Sequence, residues 1–228
     1  MPTALSSEIQ SLDRQVAANS LLLQPFYVAW TRGELTLAAL RDYAAQYYRH
    51  VAAFPTYISA VHAQCDHFAV RRHLLDNLSD EEAGSPNHPE LWMQFAEGLG
   101  VSKSGVEAAQ PWPETQHLIK TFRKACGTQG VAAGIAALYA YESQIPAVAQ
   151  SKIEGLRKFY GIHDPATLEY FTVHEAADRE HSAIERNLLG ELLDARNIEK
   201  VTVATGSVLQ ALNGVLSAVC VRHGITVH

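Results

Sequence analysis

An all-α fold of about seven helices follows from the patterning of this 228-residue sequence. Apolar residues recur at helical spacing along almost the whole chain, and no stretch alternates apolar with polar between turn residues as a strand would. Prolines and glycines fall where such helices would begin, kink or stop.

Taken in order, Thr36 caps a helix through LAALRDYAAQYYRHVAAFPTYISAVHAQC, and Pro55, which lacks a backbone donor, predicts a kink within it. HFAVRRHLLDNLSDEEAG forms the next helix and stops at Gly84. Another begins around Asn87-His88-Pro89-Glu90, where proline suits the first turn and a carboxylate complements the helix dipole. Glu81 and His88 thus flank a tight joint. VSKSGVEAAQPWP reads as a polar connector, followed by a helix from Pro113 to Gly127. Thr128 or Gln129 opens a long apolar helix, with Pro146 as a second internal kink and Gly161 as its stop. Asp164-Pro165 caps ATLEYFTVHEAADREHSAIERNLLG, and a last helix runs from about Asn197 to Arg222. Neither an internal repeat nor a linker divides the chain, so residues 1–228 read as one domain.

Composition removes several classes of function. With 47% apolar and 18% charged residues the chain is globular, and a net charge of −6 offers nothing to a phosphate backbone, so nucleic acid is not an expected partner. Cys65, Cys126 and Cys220 are odd in number and widely spaced, which fits neither a disulfide framework nor a thiolate metal site and points to a reducing cytoplasm. The opening residues MPTALSSEIQSLDRQ do not read as a secretory signal, and no uninterrupted apolar run reaches membrane-spanning length, so no membrane is expected either. Eleven histidines stand out, because each must be solvated, hydrogen-bonded or used.

The strongest local pattern is HEAADREH, residues 174–181. Steps of four and three put His174, Asp178 and His181 on one helix face, and carboxylate-x-x-His is the spacing by which helix bundles present an oxygen and a nitrogen to a metal pair. A solvated polar face is the competing reading. Glu81 and His88, seven apart, read alone as a helix-end carboxylate and a cap. Glu142 differs, because a carboxylate within IAALYAYESQIPAVA costs several kcal/mol, roughly, if buried ionised without a cation or donor. Three carboxylates and three imidazoles form a mixed oxygen and nitrogen set suited to ferrous or manganous ions with open positions for dioxygen.

Other signals compete. Glu114-x-x-His117 has the same spacing but sits in a first helical turn, where capping accounts for the glutamate. His174-Glu175-x-x-Asp178 is an imperfect HExxH that leaves Glu142 unexplained. Packing is the default for Tyr27, Tyr43, Tyr47, Tyr48, Tyr139, Tyr141 and Tyr170. Lys152 reads as a surface charge unless the Pro146 kink turns it inward. His50, His62, His67, His73, His117, His163, His223 and His228 form no one-faced set and read as surface or satisfied core residues.

NLSDEEAGSPNHPELWMQFAEGLG, YAYESQIPAVAQSKIEGLRKFYG and YFTVHEAADREHSAIE together resemble the family of the chlamydial protein associating with death domains (CADD), relatives of TenA and of the pyrroloquinoline-quinone synthase PqqC. The resemblance spans about Leu21 to Leu189. It implies a haem-oxygenase-like helical bundle and a dimetal centre, two irons or manganese and iron, held by Glu81, His88, Glu142, His174, Asp178 and His181. It further implies oxygen-dependent formation of para-aminobenzoate for folate, the protein's own tyrosine giving the ring and its own lysine the amine. By motif match these are Tyr27, in QPFYVAW, and Lys152, in AQSKIEGL, with Tyr43, Tyr141 and Tyr170 as neighbouring aromatics that hold or relay radical character. Dioxygen is then the co-substrate and an external reductant, an unidentified electron donor, reloads the metals.

Two alternatives stay open on the sequence. One is a metal-free oxidase of PqqC type, which would have little use for three converging carboxylates; the other is a protein-interaction scaffold, which nothing in the surface composition demands. A TenA-type thiaminase would need a nucleophilic cysteine, and the helix from Gly130 to Tyr160 has none. A monomer and a homodimer are equally compatible with the sequence.

Overall fold

The computed structural model describes residues 7–226, so His228 lies outside the described residues. All regular structure there is helical: α1 (Ser7–Ala18), a 3-10 turn (Leu21–Leu23), α2 (Pro25–Arg32), α3 (Leu37–Ala63), α4 (Phe68–Glu82), α5 (His88–Gly98), α6 (Lys103–Ala108), α7 (Pro113–Thr128), α8 (Val131–Glu142), α9 (Ile145–Tyr160), α10 (Pro165–Leu192) and α11 (Ile198–Arg222). The caps expected at Thr36 and Asp164 are in place, whereas at the start of α5 the cap is Asn87 and not His88. Thr36 accepts from the Ala39 amide at 3.1 Å, Asp164 from Thr167 at 3.0 Å, and Asn87 and Glu90 form a reciprocal capping box. Gly33 and Gly161 end α2 and α9 in the left-handed conformation, at φ +71° and +65°.

Eleven α-helices replace the expected seven or so, for three local reasons. Amphipathic α1, which buries Ile9, Leu12 and Val16, and proline-led α2 precede the first helix recognised from sequence. Ser102 caps the short α6 inside what reads as a polar connector. The long helix through Pro146 is broken rather than kinked, since Pro146 has no N–H to give the Glu142 carbonyl. Gln144 stabilises the break: its amide donates to the Ala140 carbonyl at 2.7 Å and its Oε1 accepts from the Leu21 amide at 2.8 Å. At Pro55, by contrast, α3 continues as one helix to Ala63.

Helix α8 lies at the centre, buried on every side from Ala133 to Glu142 and packed against α3, α7, α10 and α11. Helix α10 runs beside it and also meets α9, α5, α4 and α1. By length and apolarity α11 would suffice to cross a membrane, although uncharged polar residues such as Thr205, Gln210 and Asn213 interrupt its apolar run. Here it packs on α7, α8, α1, α2 and α3, burying Val208, Leu212, Val215 and Val219.

Helices α2 and α9 touch where Gly155 meets Trp30. A Cβ at Gly155 would fall 2.4 Å from Trp30 Nε1, and Trp30 is fully buried among Phe26, Tyr27, Tyr43 and Tyr160. Alanine would gain about 1 kcal/mol of helix propensity. Overpacking a rigid ring costs up to about 3 kcal/mol and outweighs it. Gly155→Ala is therefore expected to destabilise by about 2 kcal/mol and to lower Tm by roughly 4–8 °C, read by thermal denaturation; an unchanged Tm would mean that Trp30 yields.

Candidate metal centre

Three segments deliver the ionisable groups. Helix α4 carries Glu81 in its last turn, the capped joint turns the chain, and α5 opens with His88; α8 ends with Glu142 at the break forced by Pro146; α10 carries His174, Asp178 and His181 on the face it turns inward. All six side chains are buried. They gather into two triplets, Glu81 with His88 and His174, and Glu142 with Asp178 and His181, each with its potential ligand atoms within 4.8 Å of one another.

The orientation within the triplets is that of donors facing a shared centre. His88 Nδ1 lies 3.1 Å from Glu81 Oε2 without satisfying a hydrogen bond, and His174 Nε2 lies 3.9 Å from Glu81 Oε1. His174 Nδ1 is 2.7 Å from the Tyr170 carbonyl, which only accepts; the proton therefore sits on Nδ1, and the Nε2 lone pair is free. His181 Nε2 likewise meets Asp80 Oδ2 at 3.0 Å, which frees Nδ1. Burial, and then the neighbouring His88, hold His174 well below the usual histidine range, so it is a neutral imidazole.

The carboxylates lack the cations they need. Glu142 Oε1 accepts from the Asn77 amide at 3.0 Å, but Glu142 Oε2 and Asp178 Oδ2 are buried without a partner. Burial pushes both carboxyls upward, and for Asp178 the charges of Glu142 and Glu81 add to it. Buried oxygens without donors, beside neutral imidazoles with free lone pairs, suit divalent cations.

An aromatic block adjoins the first triplet. The Tyr170 ring stacks on His174 at 4.0 Å and meets Trp92 at 4.8 Å. Hydroxyl contacts link Tyr170 with Tyr141, Tyr141 with Tyr47, and Tyr43 with Tyr27. Tyr43 and Tyr47 rings lie 5.2 Å apart. Lys152 is not a surface charge: only 4% exposed, it lies on the inner face of α9, where the break before Pro146 starts a new helix. Its Nζ donates to Tyr43 Oη at 2.6 Å and stands 5.7 Å from the Tyr27 ring centroid. Burial brings its pKa down to about 7. Tyr27, Tyr47, Trp92, Tyr141, Lys152 and Tyr170 line a cavity of about 10 Å³.

Several participants escape sequence reasoning. Tyr47 and Trp92 lie among the aromatics, Trp92 one turn after His88. Asn77 and Asp80, on the turn of α4 before Glu81, contact Glu142 and His181. Glu185, four residues beyond His181, continues the α10 face and is fully buried. His50 and His73 are corrections: both are buried, His50 with both ring nitrogens and His73 with Nε2 unpartnered, and burial lowers their pKa to about 3 and about 4. Glu175 pairs with Arg179 away from the centre, and Glu114 with Arg222, so neither competing motif contributes.

A family model described as iron-containing redox enzyme matches residues 41–213. The chain belongs to this family. An iron-containing redox enzyme is an oxidoreductase, and the matched span holds both triplets, Tyr43, Tyr141, Lys152 and Tyr170, with Tyr27 outside it. The chain is 45% identical over 210 residues to the 4-aminobenzoate synthase of Chlamydia muridarum, covering 92% of this chain and 89% of the relative. In structure it is similar to a TenA homologue from Pseudomonas syringae pv. tomato, with a TM-score of 0.83, 14% identity and coverage of 96% and 95%. A CADD-like protein from Nostoc punctiforme gives 0.74 at 18% identity, covering 97% and 100%. These likenesses show the haem-oxygenase-like fold of the TenA proteins.

Proposed function

We propose that this iron-containing redox enzyme forms 4-aminobenzoate from its own Tyr27 and Lys152. The observation that carries the reading is the buried amine of Lys152, held on Tyr43 and beside Tyr27 in a cavity of about 10 Å³. That volume is at the limit for one water, whereas a small-molecule pocket has roughly 300 Å³ or more. The reacting ring and amine are then parts of the chain. The name of the chlamydial relative supports the product.

Glu81, His88 and His174 hold one ion and Glu142, Asp178 and His181 the other, as di-iron or manganese with iron, since the same oxygen and nitrogen donors serve both. When bound and reduced by an external electron donor, the pair supplies the oxidising power of dioxygen. The protein's own groups do the rest. Tyr170, Tyr141, Tyr47 and Tyr43 form a contiguous phenol set in which oxidation at one ring passes to the next toward Tyr27. Burial holds every one of these phenols protonated, so each loses its proton only with its electron. Tyr43 orients the Lys152 nitrogen, and the aromatic walls exclude water from it. The setting is a single cytoplasmic domain.

The test is anaerobic iron loading, exposure to air with a reductant, and mass spectrometry of the chain. Altered mass confined to peptides containing Tyr27 and Lys152, with about one product molecule per chain at most, is expected. Many turnovers on an unaltered chain would sink the self-sacrificing reading.

A further inference from the structure

Glu185 has no place in the six-residue set, yet it is a buried carboxylate with no cation among the groups that perturb it. It is 0% exposed, and neither of its oxygens has a hydrogen-bond partner. Its nearest charged neighbours are Glu142 and Asp178, which can only repel it when ionised. The adjacent Arg186 turns to Asp13, 2.5 Å away on α1, and offers no relief. Steps of four, three and four residues put His174, Asp178, His181 and Glu185 on one buried face of α10.

We propose that Glu185 is a fourth carboxylate of the metal centre, binding the ion held by Glu142, Asp178 and His181. This rests on the dimetal reading. Charge supports it: two divalent ions carry four positive charges, and Glu81, Glu142, Asp178 and Glu185 together carry four negative ones. Without Glu185 the buried cluster would keep a net positive charge, and Glu185 would remain an unpaired carboxylate in an apolar interior, which is costly. The second ion then has four protein donors, and the one at Glu81, His88 and His174 has three and is the more open to dioxygen.

Anaerobic titration with ferrous ammonium sulfate, followed by metal analysis after desalting, tests this in wild type and Glu185→Gln. The amide keeps the size and shape of the side chain and has an N–H to offer the neighbouring Glu142, while it removes the charge and one of the two oxygens. Wild type is expected to retain two irons, and Glu185→Gln one, with the second bound roughly 10- to 100-fold more weakly. Two irons held as tightly as in wild type would overturn the proposal and leave Glu185 as a positioning residue for Glu142. Fewer than two irons in wild type would instead overturn the dimetal reading beneath it. Circular dichroism and thermal denaturation of the apo-proteins check folding; the metal-free variant is expected to melt no lower than wild type, because a repelled carboxylate is gone. Should the amide variant not fold, Glu185→Leu is read by the same titration.

Discussion

Glu142→Ala and His174→Ala are each expected to lose tightly bound iron and to reduce 4-aminobenzoate release at least a hundredfold. Glu142 joins the break between α8 and α9 to the face of α10, and His174 is the donor shared between the first triplet and the aromatic block. The two substitutions differ in what they leave behind. Removing Glu142 strands the Asn77 amide but also relieves Asp178 of a buried like charge, so the apo-protein changes little in stability. Removing His174 opens a void beside Tyr170 and costs roughly 2 kcal/mol. Iron content measured on folded protein, verified by circular dichroism, separates ligand loss from unfolding. Retention of two irons by either variant would count against the assignment of that residue.

The metal-ligand candidates were legible because they carry local signals: a helical step for His174, Asp178 and His181, and a carboxylate within an apolar run for Glu142. The joint between Glu81 and His88 is legible from Pro89 and Glu90, which suit a first helical turn, whereas the sequence alone does not tell that Asn87 rather than His88 is the cap. Glu185 is not legible, since a lone glutamate four residues past the motif has the composition of a solvated helix face; the packing of α10 against its neighbours, α8 among them, buries it. Lys152 posed the opposite problem. Its inward direction depends on the break at Pro146, and whether proline kinks or ends a helix is decided by partners far away in sequence, here Gln144 reaching the Leu21 amide. The helix count failed at similar places, where short capped turns such as α6 lack a full amphipathic period. Local spacing names groups that share a helix, whereas tertiary contact decides which of them share a site.

Lys152 should impose opposite demands on activity and stability. Its pKa of about 7 makes the nitrogen increasingly neutral, and nucleophilic, as pH rises through 7, so product formed in a single oxygen exposure should increase from pH 6 to pH 8 with an inflection near 7. Lys152→Arg keeps a cation of similar length that never becomes neutral, and it should abolish product at every pH. The stability sign follows from linkage. An unfolded lysine titrates near 10.4 and the folded one near 7, so between those values the unfolded chain holds the extra proton; stability rises with pH across that window and is lowest below 7. Lys152→Met should therefore stabilise the protein at pH 6 by up to roughly 4 kcal/mol, less about 1 kcal/mol for the lost hydrogen bond to Tyr43, while producing no 4-aminobenzoate. Thermal denaturation at pH 6 and pH 9 reads the stability side: the advantage of the methionine variant should shrink toward pH 9. A methionine variant less stable than wild type at both values would mean that Lys152 is held as a paired cation rather than as a buried amine ready to react.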